Sequence, residues 1–270
     1  MFILTYAFLT FALVLLSFNR IKTAYGLLAI SVCCAYYFNI INLSLVGILI
    51  LILALWYKYK KSLILEIILF VFSIALFLHF IPGFDNVKVL DRVYASTNST
   101  AFTLYFNFDK PLGVFVLFLI FPALFVNKNY IKASLLKWVL LIISPLILLS
   151  IPWYLDVLKW ELGLPWWLGY FLFSNLFLVA LVEEAYFRGY LQQRLCEFLN
   201  PLWALLIASV AFGLIHYRGG ILMVVFASLA GIIYGLAYRY SKYLWVSIFF
   251  HFGLNLMHLI FFTYPFYLRP

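Results

Sequence analysis

Long apolar runs separated by short polar connections dominate this 270-residue chain. An apolar helix of about 20 residues crosses the hydrocarbon core of a bilayer, and lipid permits only helices or closed barrels there. The pattern therefore predicts an all-α, polytopic transmembrane helical bundle of about ten spans. The predicted spans are 2–18, two within 24–56 that turn near 38–42, 62–81, 111–126, 135–154, one beginning near 165, 202–217, 220–240 and 244–262.

One longer polar stretch, residues 82–110, interrupts the apolar pattern and is predicted to be a loop. It contains a Ser/Thr/Asn cluster at 96–100 and separates the first four spans from the rest. We therefore predict two domains, an N-terminal transmembrane extension with its loop at 1–110 and a second helical region at 111–270. The sequence shows no internal repeat and no soluble domain.

Composition supports a membrane protein, because 67% of the residues are hydrophobic and only 10% are charged. The net charge of +9 does not indicate nucleic-acid binding, since Lys and Arg in short loops between apolar runs set membrane orientation. With an outside N-terminus, the predicted inside segments hold eleven Lys and Arg and the outside segments six. A multi-pass protein with both termini outside is expected, in the plasma (inner) membrane if the source is bacterial.

Two adjacent glutamates, Glu183 and Glu184, stand with Arg188 near the end of a long apolar run. An ionisable group at membrane depth costs at least ~2.5 kcal/mol and indicates function. Glu184 and Arg188 are i,i+4 neighbours on a helix, whereas Glu183 points roughly 100° away. We therefore expect Arg188 to pair with Glu184 and to leave Glu183 free for chemistry.

Two further polar pairs follow in the last spans. Phe212 precedes His216 by four residues, and His251 precedes Asn255 by four, so each pair lies on one helix face. We expect Phe212 to pack against the ring of His216. His251 and Asn255 are expected to point into the same space.

These groups suggest peptide hydrolysis inside the membrane. Pro201 predicts a turn between antiparallel helices, and Glu183 and His216 lie at similar distances on either side of it. A carboxylate in low-dielectric surroundings is a stronger base towards water. Our hypothesis is that Glu183 activates water, that His216 holds it or protonates the leaving amine, and that His251 and Asn255 stabilise the oxyanion.

Other interpretations remain open. A single membrane histidine commonly serves as a hydrogen-bonding group between helices, and we interpret His79, His258 and Glu66 as structural. A proton-coupled transporter would use the same Glu and His groups as a relay. The absence of inverted repeats in the sequence argues against it.

The three motifs resemble those of the CPBP intramembrane proteases, which include CAAX prenyl endopeptidases and bacterial Abi-type proteins. The family pattern stands here as Glu183-Glu184-x-x-x-Arg188, Phe212-x-x-x-His216 and His251-x-x-x-Asn255. The resemblance covers about residues 165–262 and makes 111–270 the expected CAAX-protease-like core. The first four spans match no family pattern.

The resemblance implies a glutamate-dependent endopeptidase with the roles given above and with Glu184, Arg188 and Phe212 in support. Its expected substrate is a membrane protein or a lipidated peptide in the lipid bilayer, and no nucleic acid is involved. No cofactor is expected; zinc is the alternative, but the sequence lacks a His-Glu-x-x-His motif. A catalytically silent family member acting as a binding or immunity protein is a further alternative, and the oligomeric state is left open.

Overall fold

The computed structural model describes residues 2–59 and 62–268 and is mainly helical, as predicted. Lys60, Lys61 and Arg269, which contribute to the charge count, lie outside the described residues. The chain forms two compact units. The first consists of the described residues up to Val89 together with Tyr105–Pro122. The second consists of Leu90–Leu104 together with the described residues from Ala123 onwards. The predicted domain boundary between 110 and 111 stays a prediction.

The first unit consists mainly of apolar helices. They are α1 (Phe2–Ser17), α2 (Ile21–Tyr37), α3 (Leu43–Tyr59), α4 (Leu63–Phe77) and α5 (Asp109–Ile120). Asn39 adopts a left-handed conformation, with φ 57°, and makes the tight turn between α2 and α3 that the sequence predicted. The hydroxyl of Ser62 caps α4 by accepting a hydrogen bond from the Leu65 N–H.

A buried carboxylate links the end of α4 to the start of α5. Asp109 is only 1% exposed, and its Oδ2 lies 2.5 Å from Nδ1 of His79. Its Oδ1 accepts a hydrogen bond from Nδ2 of Asn86 at 3.2 Å, while Oδ1 of Asn86 accepts from the Phe108 N–H. We call His79, Asn86 and Asp109 the Asp109 cluster. Its contacts hold the chain between two helices in place.

The polar stretch 82–110 is not entirely a loop, so that prediction was wrong for part of it. Strands β1 (Val87–Val93) and β2 (Phe102–Phe106) pair into a two-stranded sheet. Both strands are rich in Val, Leu, Phe and Tyr, residue types that favour extended backbone. Both strands are short, and polar residues interrupt their apolar residues, so neither strand forms the long apolar run that predicts a transmembrane helix.

The second unit contains the longer helices. They are α6 (Leu135–Tyr154), α7 (Leu168–Leu195), α8 (Pro201–Leu214), α9 (Gly220–Tyr240) and α10 (Leu244–Phe261), with a 3₁₀ turn at Tyr217–Gly219. Helix α7 is unusual because π-helical segments at Ser174–Ala180 and Ala185–Gln192 flank the α-helical turn Leu181–Glu184. Wide turns of this kind occur frequently at functional sites.

Helices α8 and α9 pack closely where their residues are small. A Cβ built on Gly213 would lie 2.5 Å from the carbonyl oxygen of Val224, so a larger side chain cannot fit there. A Cβ on Gly231 would lie 3.0 Å from Cα of Ser209. Small residues allow helices in membranes to approach in this way. The close approach brings α9 towards the charged groups of α7.

Within residues 2–59 and 62–268, four helices are long and apolar enough to cross a membrane. They are α6, α7, the stretch Tyr217–Tyr240 that includes α9, and α10. Helices α1 to α4 and α8 are apolar but shorter, with 14 to 17 residues. Their bounds follow the predicted apolar runs. The total of about ten spans remains a prediction.

Candidate active site

A cavity of about 680 Å³ lies within the second unit, and the four predicted catalytic residues all line it. Helix α7 contributes Glu183, the turn after α8 contributes His216, and α10 contributes His251 and Asn255. Most of the remaining lining is apolar, including Leu148, Leu149, Pro152, Phe171, Val179, Leu222, Met223, Phe226, Ala227, Ala230 and Leu254. The tertiary structure therefore gathers a few polar groups into an apolar chamber, the usual character of a small-molecule or peptide site.

Glu184 is fully buried and surrounded by donors. Nη1 of Arg188 donates to its Oε1 at 3.1 Å, so the predicted pairing is confirmed. Nδ1 of His251 lies 2.9 Å from the same oxygen, and Oγ of Ser247 lies 2.5 Å from Oε2. Both carboxylate oxygens are thus engaged. Glu184 holds α7 and α10 together and is poorly placed to activate water.

Arg188 is also fully buried, and its guanidinium has several partners. Besides the bond to Glu184, Nη2 donates to the carbonyl oxygen of Gly231 at 2.9 Å. The guanidinium carbon lies 4.6 Å from the ring centre of Phe212 and 5.4 Å from that of Tyr234. A buried ion pair is tolerated only when such hydrogen bonds and aromatic faces replace water.

Glu183 has the opposite surroundings to its neighbour. It lines the cavity and is 6% exposed, and its Oε2 has no hydrogen-bond partner among the described residues. A buried carboxylate oxygen without a donor is unfavourable, so it is a strong acceptor for water or a substrate N–H. Of the two adjacent acids, this is the one with spare hydrogen-bonding capacity beside a cavity.

The geometry of His216 fixes which of its ring nitrogens is free. Nδ1 lies 2.9 Å from the carbonyl oxygen of Phe212, and because a carbonyl can only accept, Nδ1 carries the donated hydrogen. Nε2 of the neutral ring is then an acceptor. The predicted packing of Phe212 on His216 is confirmed, with ring centres 4.9 Å apart.

His251 is held on two sides. Its Nδ1 faces Glu184, and its ring stacks on Tyr234 with centres 4.6 Å apart and planes 10° apart. Only 3% of the residue is exposed. With Nδ1 engaged, Nε2 is the ring nitrogen available to a bound molecule. Asn255 lines the same cavity as His251, as predicted, and donates from Nδ2 to Oδ1 of Asn175 at 3.3 Å.

Sequence reasoning missed three members of this arrangement, namely Asn175, Tyr234 and Ser247. Ser247 had a signal, since it lies four residues before His251 and thus on the same face of α10. Tyr234 gave no clear signal in a chain with 20 tyrosines. The position of Asn175 was a misleading signal, because on a regular α-helix its side chain would point roughly 80° away from that of Glu183.

The histidines interpreted as structural divide into two cases. His79 contacts Asp109 in the first unit, as a structural residue would. His258 lines the cavity, packs edge-on against Tyr264 with ring centres 4.9 Å apart, and has no hydrogen-bond partner for Nε2 among the described residues. Burial raises the pKa of the Tyr264 phenol, so that group stays neutral.

Within 2–59 and 62–268, there is no group of three or more His, Cys, Asp or Glu side chains that could hold a metal ion. At the cavity, the acid nearest to His251 is already bound to Arg188.

Residues 165–257 match the family model of type II CAAX prenyl endopeptidase Rce1-like proteins. The C-terminal half contains a CAAX-protease-like domain. The matched stretch begins just before α7 and ends within α10, so it includes all three motifs. Comparisons with curated proteins and with solved structures gave no match.

The match supports the predicted resemblance to CAAX proteases over this stretch of the chain. Together with the four long apolar helices, it indicates an integral membrane protein whose setting is the lipid bilayer. The first unit lies outside the matched residues.

Proposed function

We propose that this protein is an intramembrane endopeptidase that hydrolyses a peptide bond of a membrane-associated or lipid-anchored protein. The observation that carries the proposal is the contrast between Glu183 and Glu184. Glu184 has three partners, whereas Glu183 lines the apolar cavity beside His216, His251 and Asn255, and its buried Oε2 has no hydrogen-bond partner among the described residues. A free base at the wall of an apolar cavity suits the hydrolysis of an apolar, membrane-embedded substrate.

In the proposed reaction, Glu183 removes a proton from water while the water oxygen attacks the carbonyl carbon of the scissile bond. Nε2 of His216 accepts the second water hydrogen and so orients the nucleophile. The carbonyl oxygen becomes an oxyanion. Glu183 then passes its proton to the leaving amine, the C–N bond breaks, and the products are a carboxylic acid and an amine.

His251 and Asn255 would stabilise the oxyanion. Because Nδ1–H of His251 donates to Glu184, Nε2 can donate only from the imidazolium form, and the carboxylate of Glu184 offsets that charge. Nδ2 of Asn255 carries two hydrogens, of which one is engaged by Asn175. The other is available to the oxyanion. Arg188 would keep Glu184 in place for this task.

The substrate class follows from the cavity and the family. Its volume of about 680 Å³ and mainly apolar lining suit an apolar peptide segment or a lipid anchor next to the cleaved bond. The family name specifies prenylated CAAX substrates for CAAX prenyl endopeptidases. We extend to this chain only the broader class of membrane-associated or lipidated protein, with no metal cofactor in the reaction.

The proposal includes a multi-pass arrangement of about ten spans with both termini outside, located in the plasma (inner) membrane if the source is bacterial. Single cysteines placed at 38–42 and at Lys128 test it with a membrane-impermeant reagent. No labelling at Lys128 is expected, because that position lies in a predicted inside loop. Labelling at Lys128 from outside would contradict the arrangement.

Cleavage assays of lipidated CAAX-type peptides and of membrane-protein substrates test the activity, with wild type and Glu183→Gln compared in the presence and absence of a chelator. We expect wild type to cleave, Glu183→Gln to lose about 10²- to 10⁴-fold in rate, and the chelator to have no effect. Cleavage by a folded Glu183→Gln protein at the wild-type rate would contradict the role of Glu183. Inhibition by the chelator would instead indicate a metal held by the cavity histidines.

A further inference from the structure

Asn175 has an unexpected place in the cavity, produced by the π-helical segment of α7. It lies eight residues before Glu183, and on a regular α-helix the two would point in directions roughly 80° apart. A π-helix has more residues per turn, because its hydrogen bonds join residues five apart instead of four. With one π-helical segment between them, Asn175, Val179 and Glu183 all line the same cavity.

The side chain of Asn175 is 7% exposed and has a defined partner. Its Oδ1 accepts a hydrogen bond from Nδ2 of Asn255 at 3.3 Å, which joins α7 to α10 inside the cavity. A carboxamide can be turned over so that oxygen and nitrogen exchange places. While Oδ1 of Asn175 faces Nδ2 of Asn255, this orientation of Asn255 is favoured, because the reverse would bring two carbonyl oxygens together.

We propose that Asn175 is a positioning residue, which orients the carboxamide of Asn255 so that its second N–H points to the reacting carbonyl oxygen. This inference rests on the proposed function and extends it to a residue outside the three motifs. Asn175 would orient Asn255 in the way that Glu184 orients His251. Each proposed oxyanion donor would then have its own buried partner, both on α7.

The first test is a double-substitution cycle on cleavage rates. Asn175→Leu keeps the approximate volume and removes the acceptor. We expect kcat to fall roughly 10- to 100-fold with an unchanged KM, because only the transition state uses the oriented donor. In an Asn255→Ala background the same substitution should cause no further loss. Additive losses, or an unchanged kcat in Asn175→Leu, would overturn the proposal.

A neighbouring substitution provides the matched control. Phe177→Leu alters the same π-helical segment at a side chain that is not among the cavity-lining residues. It should leave kcat unchanged. A loss in Phe177→Leu equal to that in Asn175→Leu would mean that the segment as a whole, and not the carboxamide contact, governs the rate, and the proposal would fall.

The second test does not depend on activity. In protein with ¹⁵N-labelled asparagine, the side-chain resonance of Asn255 is identified by its loss in Asn255→Ala. One of its two protons should exchange slowly with water in wild type and in Asn175→Asp, which retains an acceptor, and rapidly in Asn175→Leu. Identical exchange in all three proteins would overturn the positioning role. If Glu183→Gln cleaved like wild type, the proposed function would fail while this measurement still decided the contact.

Discussion

Two buried carboxylates in this protein have similar partners but different surroundings. Asp109 in the first unit contacts Nδ1 of His79 and the amide of Asn86. Glu184 in the second unit contacts Nδ1 of His251 together with Arg188 and Ser247. Each carboxylate is almost inaccessible, and each joins residues that are distant in sequence.

The two carboxylates differ in where they lie relative to the cavity. The His79 side chain is 42% exposed, and neither it nor Asp109 is among the residues lining the 680 Å³ cavity. Glu183, the acid beside Glu184, lines that cavity, and its buried Oε2 has no hydrogen-bond partner among the described residues. A carboxylate–histidine contact is therefore a means of fixing geometry. The second acid, Glu183, placed at an apolar cavity, is what marks the second unit as the candidate active site.

Removal of the cation from the Glu184 group has the largest expected effect on stability. Arg188→Leu leaves a buried carboxylate without its compensating charge, a change that costs about 3–5 kcal/mol. Thermal unfolding in detergent micelles measures it. Arg188→Lys should recover only part of the loss, because an ammonium cannot bond both Glu184 and the Gly231 carbonyl as the planar fork does. An unchanged unfolding midpoint in Arg188→Leu would contradict the buried pair.

The two histidines provide the sharpest comparison of activity. His251→Ala removes a proposed oxyanion donor and should lower kcat roughly 10²-fold or more. His79→Ala removes the matching partner of Asp109 and should leave kcat unchanged. Cleavage of a lipidated peptide by both variants checks this. An equal loss of kcat in both variants would show that the two histidine contacts have the same structural role. It would contradict the proposed difference between the two units.

Substitution of the first carboxylate should affect stability alone. Asp109→Asn weakens the charged hydrogen bonds to His79 and Asn86, and we expect a loss of about 1–3 kcal/mol in unfolding free energy with an unchanged kcat. The control is Asp91→Asn, an exposed acid on β1, for which the change should stay within about 0.5 kcal/mol. A large loss of kcat in Asp109→Asn would assign the first unit a direct part in the reaction.

The smallest expected effect concerns one hydroxyl of the Glu184 group. Ser247→Ala removes a donor to Oε2 and should lower kcat roughly tenfold, the equivalent of one hydrogen bond to a charged group. Ser209 is a matched control, because it is also buried but donates to the Leu205 carbonyl of its own helix. Ser209→Ala should be neutral. If Ser247→Ala were also neutral, Arg188 and His251 alone would suffice to hold Glu184.

Much of the local arrangement followed from spacing. Residues four apart on a helix meet, so the Glu184–Arg188 and Phe212–His216 contacts could be predicted from sequence. The strands within 82–110 could not be predicted by a search for long apolar runs, because their alternating pattern has a different period. We interpret His258 from the sequence as a structural residue. In the structure it lies at the cavity wall, a position that depends on Tyr264 in the C-terminal segment that packs beside it.

The sequence by itself determined the mainly helical class, the apolar runs that suit a membrane, the resemblance to CAAX proteases and the three motifs, because these depend on apolar run length and on separations within single helices. Only the tertiary structure decided that α7, α8 and α10 direct their motifs to one cavity, that Ser247 completes the shell of Glu184, and that Asn175 faces Asn255. The reason is physical. A contact between helices depends on their packing and on the π-helical turns that rotate side chains, and neither is encoded in the spacing of residues along one helix.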